Sequence, residues 1–231
     1  MDRSYSGMTS RREVEYDQKH WKILKEKRKK ALEVMDALIE MDLQSLVYGS
    51  VARGDIDERS DVDIFIPHIV PSYKVEIALE TFGIVEKRIV QATPSYAIKG
   101  EIILSDNTTV SFPLVKMRER ELDFYKFGGC LNYDGLKNDE RVAGVNKKLI
   151  LILPTSKGHK EIPLCELHSS DVAKLLKVSV EIVEERIRVL TRRKEVGRTG
   201  IFLCETVPHE KNLEIALKEI MSENPAIRRR S

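Results

Sequence analysis

The chain has 231 residues, enough for one large domain or two small ones. Hydrophobic residues make up 42% of the sequence and charged residues 33%, which excludes a collagenous, low-complexity or largely disordered protein. Lysine and arginine total 39 against 37 acidic residues, so the net charge of +2 creates no long-range field of one sign, and any basic surface is local.

The sequence gives no sign of export or of membrane insertion. Residues 1–10 lack the apolar segment of a signal peptide, and the longest apolar runs, such as residues 149–153, are far shorter than the ~20 residues of a membrane helix. Cys130, Cys165 and Cys204 are scattered and form no CxxC pair. We therefore expect a cytoplasmic protein with reduced thiols and no membrane association.

The first predicted element is one long amphipathic helix at residues 11–41. This stretch contains neither Pro nor Gly, and its apolar residues recur at steps of three and four. The basic charge in the middle of the helix favours either a solvated face or a contact with nucleic acid. This part of the helix contains one acidic residue, Glu26, and seven basic residues: Lys19, Lys22, Lys25, Lys27, Arg28, Lys29 and Lys30.

An α/β arrangement is predicted to follow this helix. Residues 45–48 are rich in β-formers, residues 49–54 form a glycine-containing turn, and residues 62–66 predict a second buried strand. The apolar spacing of residues 72–82 predicts a helix, and Gly83 is placed to end it.

A hairpin and a connector come next. Apolar runs at residues 96–104 and 109–115 flank a tetrapeptide of turn formers and predict the hairpin. Residues 128–144, rich in Gly, Asn and Asp, read as a connector. Two further short strands are predicted at residues 149–153 and 160–164.

The last part of the sequence is again helical. Apolar spacing predicts a short helix after Ser169 and a longer one after the tight turn at residues 177–179, where Ser179 is suited to cap the second helix. The pattern resembles a helix-turn-helix, and the alternative is an ordinary helical hairpin with a solvated basic face. Six basic residues against one acid favour phosphate contacts: Arg186, Arg188, Arg192, Arg193, Lys194 and Arg198.

The clearest chemical pattern combines a Gly-Ser turn with two aspartates. Gly49 and Ser50 follow a predicted strand and offer close backbone approach, a hydroxyl and N–H donors to phosphate oxygens, and Arg53 adds a positive charge for the nucleotide. Strand alternation places Asp61 and Asp63 on one face, about 6.6 Å apart along the backbone. These carboxylates repel each other unless a cation lies between them, which suits Mg²⁺. The alternative is that they line a solvent face.

G-S, ten intervening residues, then D-V-D resembles the signature of the DNA polymerase beta-like nucleotidyltransferase superfamily, and the first part of the chain looks like archaeal nucleotidyltransferase proteins. The resemblance covers residues 46–115. It implies an α/β (α+β) fold whose mixed sheet is flanked by helices. It also implies that Asp61 and Asp63 hold two Mg²⁺ ions while Gly49 and Ser50 bind the triphosphate of an NTP. A hydroxyl of the acceptor then attacks the α-phosphorus, and pyrophosphate leaves.

The sequence departs from the family at the third carboxylate, which helps to activate the attacking hydroxyl. Ser111 stands where an acid is expected, and a serine without an activating partner is no base at neutral pH. Glu101 on the paired strand is the predicted substitute, because hairpin pairing would bring it to the same face. Asp106 is more simply a turn former. If neither acid reaches the metals, catalysis is expected to be weak or absent.

Three regions are predicted: residues 1–129 with the first helix and the nucleotidyltransferase domain, residues 130–168 as a connector with a β-hairpin, and residues 169–231 as a smaller helix-turn-helix-like module with a tail. We expect an enzyme that uses Mg²⁺ to transfer NMP from NTP to a hydroxyl acceptor in association with RNA or DNA. The alternatives are a catalytically weak or inactive nucleic-acid-binding regulator and an antitoxin-like partner of another protein.

Overall fold

The computed structural model describes residues 11–197, 200–224 and 227. These residues form two β-sheets with helices packed against them. In chain order the elements are β1 (Arg12–Glu15), α1 (Gln18–Glu40), β2 (Leu46–Tyr48), α2 (Ser50–Arg53), β3 (Val62–Phe65), α3 (Ser72–Leu79), β4 (Ile84–Gln91), β5 (Lys99–Leu104), β6 (Thr108–Pro113), α4 (Glu119–Gly128), β7 (Cys130–Asn132), α5 (Tyr133–Lys137), β8 (Gly144–Val145), β9 (Ile150–Thr155), β10 (Gly158–Pro163), α6 (Ser169–Leu176), α7 (Val180–Val196), β11 (Leu203–Val207) and α8 (Leu213–Glu223).

The larger sheet is mixed and has the strand order β11-β4-β5-β6-β3-β2-β7. Strands β3 and β6 are parallel, and the other paired strands of this sheet are antiparallel. The strands predicted at residues 45–48 and 62–66 are β2 and β3, and the predicted hairpin is β5 with β6. The expected α/β fold with a mixed sheet flanked by helices is therefore confirmed.

Helix α1 covers one face of this sheet and forms the main core with it. Ala31, Met35 and Leu38 are fully buried on the helix and belong to the same apolar cluster as Val47 and Ile64 of the sheet. Side chains of this kind each contribute roughly 1.5–3 kcal/mol when they leave water. The packing of this face fixes β2 and β3, and thereby the segment between them.

Arg28 differs from the solvated or nucleic-acid-binding face expected for the basic residues of α1. The side chain is buried, and its guanidinium donates to the backbone carbonyls of Val51, Ala52 and Glu140. Burial lowers the pKa of Arg28 to about 10, although the carboxylate of Asp139 opposes this shift. Arg28 therefore anchors the chain around α2 to the first helix.

The first helix starts later than predicted. Asp17 accepts a hydrogen bond from the His20 N–H at 2.7 Å and caps α1, so the helix begins at Gln18. The preceding residues form β1, which pairs antiparallel with β10. A helical period cannot reveal this strand, because its pairing partner lies about 150 positions further along the chain.

A smaller sheet with the order β1-β10-β9-β8 forms a second layer. Its strands β9 and β10 match the two short strands predicted from sequence. A second apolar cluster joins this region to α4, α6 and α7 and includes Phe127, Leu151, Ile182, Val183 and Leu190. Helix α7 is thus packed along one side against the rest of the molecule.

The pair of C-terminal helices lies where the sequence predicts it, while its identity as a nucleic-acid-binding helix-turn-helix stays a prediction. The turn contains Lys177 in the left-handed conformation, at φ +54°. Ser179 occupies the cap position of α7, but its hydroxyl makes no capping hydrogen bond. Its backbone N–H instead donates to Asp123 Oδ2 of α4 at 2.9 Å.

Two parts of the chain differ from the predicted division into regions. The connector at residues 128–144 contains β7, which pairs with β2 and extends the large sheet. Residues 203–224 do not continue a separate C-terminal module, because β11 pairs with β4 and Leu213 of α8 lies in the main core. No local sequence pattern predicts that β7 and β11 join the large sheet. No described helix is long and apolar enough to cross a membrane.

Candidate active site

The two aspartates of the sequence motif lie at the beginning of β3, near the middle of the large sheet. Asp61 is exposed and directly precedes the strand. Asp63 is half-buried, and its register partners are Tyr48 on β2 and Thr109 on β6. Both aspartates line a cleft of about 670 Å³.

The turn after β2 lines the same cleft. Gly49 has a φ of +81°, and no atom lies within 4 Å of the position that a Cβ would take. A side chain here would be strained and would point into open space. The Gly49 N–H donates to Gly129 O at 2.9 Å, which holds the turn against the end of α4. Ser50 begins α2 and also lines the cleft.

Arg53 lies in the wall of the cleft, but its guanidinium is already paired with the carboxylate of a neighbouring residue. The guanidinium donates to both carboxylate oxygens of Asp55, at 2.8 and 3.1 Å, and to the Gly128 carbonyl. The side chains of Arg53 and Asp55 are only 6% and 11% exposed. This arrangement favours a positioning role, in which Arg53 ties the turn to α4, over the direct nucleotide contact expected from sequence.

The electrostatics around Asp63 favour a bound cation. Burial raises the pKa of Asp63 to about 6, and the carboxylates of Asp61 and Glu101 add to this rise. The ammonium of Lys147 opposes it. Like charges that are brought together in a partly buried site are relieved by a positive ion.

Glu101 lies on the same face of the sheet but is engaged elsewhere. It is the register partner of Ser111, and its Oε2 accepts a hydrogen bond from Arg88 at 3.0 Å. Glu101 is not among the residues that line the cleft. Ser111 is buried, and its hydroxyl lies 3.4 Å from Ile64 O. Glu101 therefore pairs with Arg88 outside the cleft lining, although its carboxylate contributes to the raised pKa of Asp63, and its role as a third catalytic carboxylate stays a prediction.

An aromatic pair includes a residue of the strand that carries Asp63. Phe65, two residues further along β3, stacks on Tyr125 of α4 with ring centroids 3.6 Å apart. Lys99 donates to the Tyr125 hydroxyl at 3.3 Å. Burial raises the pKa of Tyr125. Phe65 and Tyr125 thus form a buried aromatic pair on the strand that carries Asp63 and on the neighbouring helix α4.

The residues present fit a hard divalent cation in part. Asp61 and Asp63 supply the one or two carboxylates that Mg²⁺ takes when substrate phosphates and water complete its shell. Burial is the main cause of the raised pKa of Asp63, and the neighbouring carboxylate of Asp61 adds to it, so a bound cation would stabilise both carboxylates in their ionised form. Among the described residues, no group of three or more His, Cys, Asp or Glu side chains could hold a metal.

The family comparison agrees with this geometry. The model of the nucleotidyltransferase domain matches residues 17–119. This part of the chain is a nucleotidyltransferase domain. The match runs from the cap of α1 to the first residue of α4 and includes both aspartates and the Gly-Ser turn. A comparison with curated proteins gave no significant match, and a comparison with solved structures gave none either.

The cleft of the nucleotidyltransferase domain is completed by residues from outside the matched segment. Lys147 and Lys148 precede β9, and Arg186 and Arg193 lie on α7. The sequence did not predict these two lysines as site residues, because they follow a stretch that is typical of a connector. The fold thus supplies carboxylates from the nucleotidyltransferase domain and cations from the later part of the chain.

The basic residues of α7 have different surroundings. Arg186 and Arg193 line the cleft, and the Arg186 guanidinium lies 4.9 Å from the ring centroid of Phe124. Arg188 does not line the cleft, and neither do Arg192 and Lys194. Lys194 donates to Lys148 O. Arg198 lies outside the described residues.

The small sheet forms another wall of the cleft through a hydrogen-bonded chain. The Tyr16 hydroxyl lies 2.7 Å from His159 Nδ1, and His159 Nε2 lies 3.2 Å from Glu161 Oε1. Glu161 is also paired with Arg12. Burial opposes ionisation of Glu161, but hydrogen bonds from Arg12 and His159 outweigh burial and lower its pKa. These contacts attach β1 to β10.

Proposed function

We propose that this protein is a Mg²⁺-dependent enzyme that transfers a nucleoside monophosphate from an NTP to a hydroxyl acceptor. The observation that carries the proposal is the convergence of Asp61 and Asp63 with the Gly49 and Ser50 turn on one cleft. The nucleotidyltransferase domain provides the general chemistry of the reaction. Lys147 and Arg193 add positive charge on the same cleft, as a triphosphate requires.

Asp61 and Asp63 would hold the divalent ions. When bound, these ions neutralise the triphosphate and stabilise the charge that develops on the leaving pyrophosphate. The open space at Gly49 lets phosphate oxygens approach the backbone, and the Ser50 hydroxyl can donate to them. Arg53 keeps this turn in place through Asp55 and the end of α4. That two ions bind, as the family resemblance implies, is part of the proposal.

The proposal is tested by transfer of radiolabelled NMP from α-labelled NTP in the presence of Mg²⁺. Asp61→Asn combined with Asp63→Asn should abolish both the transfer and the Mg²⁺-dependent binding of a non-hydrolysable NTP analogue measured by calorimetry. Asp171→Asn removes an exposed carboxylate on α6 and serves as the control. Transfer that survives the double substitution would contradict the assignment.

A second function is favoured by the environment of Glu101. Its ion pair with Arg88 engages the predicted third carboxylate, and among the described residues no group of three or more metal-binding side chains could hold an ion. A nucleotide-binding regulator of nucleic acid with little or no turnover would fit this arrangement. Tight Mg²⁺-dependent binding of the analogue without pyrophosphate release would favour this function. Multiple turnovers with any acceptor would exclude it.

The proposal includes association with nucleic acid, which helix α7 would bind. Arg186 and Arg193 place two guanidinium groups on the cleft, where they can bind backbone phosphates of an acceptor strand. Mobility-shift assays with RNA and with DNA should show binding that weakens steeply with salt. Arg193→Gln should reduce both the affinity and the salt dependence.

A further inference from the structure

A second cavity of about 600 Å³ lies beside the cleft, between the loop before β5 and helix α7. Aromatic side chains from three parts of the chain line it: Tyr96 before β5, Phe124 and Tyr125 on α4, and Phe202 before β11. Phe202 is 38% exposed, so part of its side chain remains accessible to a ligand. The combination of flat apolar surfaces and an open rim suits an aromatic ring system.

The second cavity and the cleft have a common wall. Phe124, Arg186 and Arg193 line both of them. Arg192 lines the second cavity alone, and Arg188 of the same helix lines neither. The two cavities are therefore adjacent, and side chains of α4 and α7 lie between them.

The charged side chains that line this cavity differ in whether they have an oppositely charged partner. Glu185 accepts a hydrogen bond from the Tyr96 hydroxyl and also pairs with Arg120. In contrast, no carboxylate lies within 4.0 Å of a guanidinium nitrogen of Arg186, Arg192 or Arg193 in the described part of the chain. Burial lowers the pKa of Arg186, and the nearby positive charge of Arg193 acts in the same direction. An anion between these guanidinium groups would relieve their repulsion.

We propose that the second cavity is the acceptor site and that it takes a nucleotide, whose base stacks on the aromatic side chains while its phosphate binds Arg192 and Arg193. This inference rests on the proposed function, since it names the acceptor of that reaction. A nucleotide combines the two features that the cavity offers partners for, a flat ring and a phosphate. In this position the nucleotide would lie next to the cleft, across the side chains of Phe124 and Arg193.

The inference is tested by calorimetric binding of AMP to the full chain without divalent ions. Arg192→Gln should weaken AMP binding about tenfold, the factor expected from the loss of one charge-assisted hydrogen bond. Phe202→Ala removes a partly exposed ring and should also weaken it. Arg188→Gln changes a basic residue of the same helix outside both cavities and should leave the affinity unchanged.

The source of the nucleotide is distinguished by a second probe, the oligoribonucleotide A6. If A6 binds far more tightly than AMP and loses affinity on Arg192→Gln, the acceptor is the end of a strand. Equal affinities for the two probes indicate a free mononucleotide. Affinities that Arg188→Gln and Arg192→Gln reduce equally would overturn the inference, because the cations would then act as a general basic surface.

The inference and the proposed function fail in different ways. If Mg²⁺-dependent binding of the NTP analogue is intact but AMP does not bind, the acceptor site is wrong and the proposed reaction stands. If AMP binds as expected but the analogue does not bind with Mg²⁺, the proposed function is wrong, and the acceptor role falls with it. Asp63→Asn should abolish analogue binding and spare AMP binding.

Discussion

At the scale of single residues, Asp61 and Asp63 have different environments although one residue separates them. Asp61 is exposed, whereas Asp63 is half-buried on the same strand as Phe65, whose ring stacks on Tyr125. The raised pKa of Asp63 means that its ionised form is costly without a partner. We therefore expect Asp63 to gain more than Asp61 from a bound cation.

Gly49 should be more important for binding than for folding. Gly49→Ala places a residue with a Cβ at φ +81°, which costs about 1 kcal/mol of strain. The added methyl group would point into the cleft, so binding of the NTP analogue should weaken by about tenfold or more. Gly128→Ala also meets open space, but without a positive φ, and should leave the stability unchanged. Calorimetry and urea unfolding separate the two effects.

Arg53 is expected to stabilise the fold strongly. Arg53→Met would leave the nearly buried carboxylate of Asp55 without its partner, and the free energy of unfolding should fall by about 3 kcal/mol. Arg59→Met removes an exposed charge in the same region and should change it by less than about 0.5 kcal/mol. Equal effects of the two substitutions in urea unfolding would show that the Arg53 pair contributes little.

At the scale of elements, the attachment of β1 to β10 connects the start of the chain to the cleft wall. The pairing aligns Val14 with His159 and Arg12 with Glu161. Tyr16 then leads into the cap of α1, and its ring stacks on His20 at a centroid distance of 3.6 Å. His20 Nε2 in turn lies 2.8 Å from Gly54 O. The segment that begins with β1 thus connects the small sheet, helix α1 and the turn that follows β2.

This attachment should weaken in acid. The pKa of Glu161 is lowered in the folded state, so its contribution to stability is present above the ordinary glutamate pKa and is lost as the pH falls through the lowered value. Glu161→Gln removes this contribution. In urea unfolding, the variant should be less stable than the original chain at pH 7, and the difference should shrink toward pH 3. A difference that stays constant over this range would contradict the assignment.

At the scale of the whole molecule, residues 203–224 close the large sheet. Lys87 of β4 is buried, and its ammonium donates to Glu76 and to the carbonyls of His209 and Lys211. Glu214 of α8 accepts hydrogen bonds from the backbone and hydroxyl of Ser72, at the beginning of α3. The C-terminal segment is therefore part of the structure that supports the nucleotidyltransferase domain.

A truncation distinguishes this arrangement from a separate C-terminal module. A chain that ends at Gly197 would leave the Lys87 ammonium without two of its carbonyl partners and would remove Leu213, Ala216 and Leu217 of α8 from the main core. Its melting temperature should fall by more than about 10 °C. Unchanged melting after this truncation would show that the segment is dispensable.

The sequence predicts what is local and misses what depends on distant pairing. Gly49, Ser50, Asp61 and Asp63 are close in sequence, and a strand, turn and strand suffice to bring them to one cleft. The cations could not be placed in this way, because Lys147 reaches the cleft only through the packing of the small sheet. Strand β11 was missed for the same reason, since its pairing with β4 carries no local pattern.

The common wall formed by Phe124, Arg186 and Arg193 has a consequence for how such proteins diversify. The acids come from the segment that matches the family, whereas α7 lies beyond it. On the proposed function, a change in α7 would alter which molecule receives the transferred group without disturbing the aspartates and the Gly-Ser turn. Chains that keep the Gly-Ser turn and the aspartates but carry another helix here should therefore share one reaction and differ in its recipient.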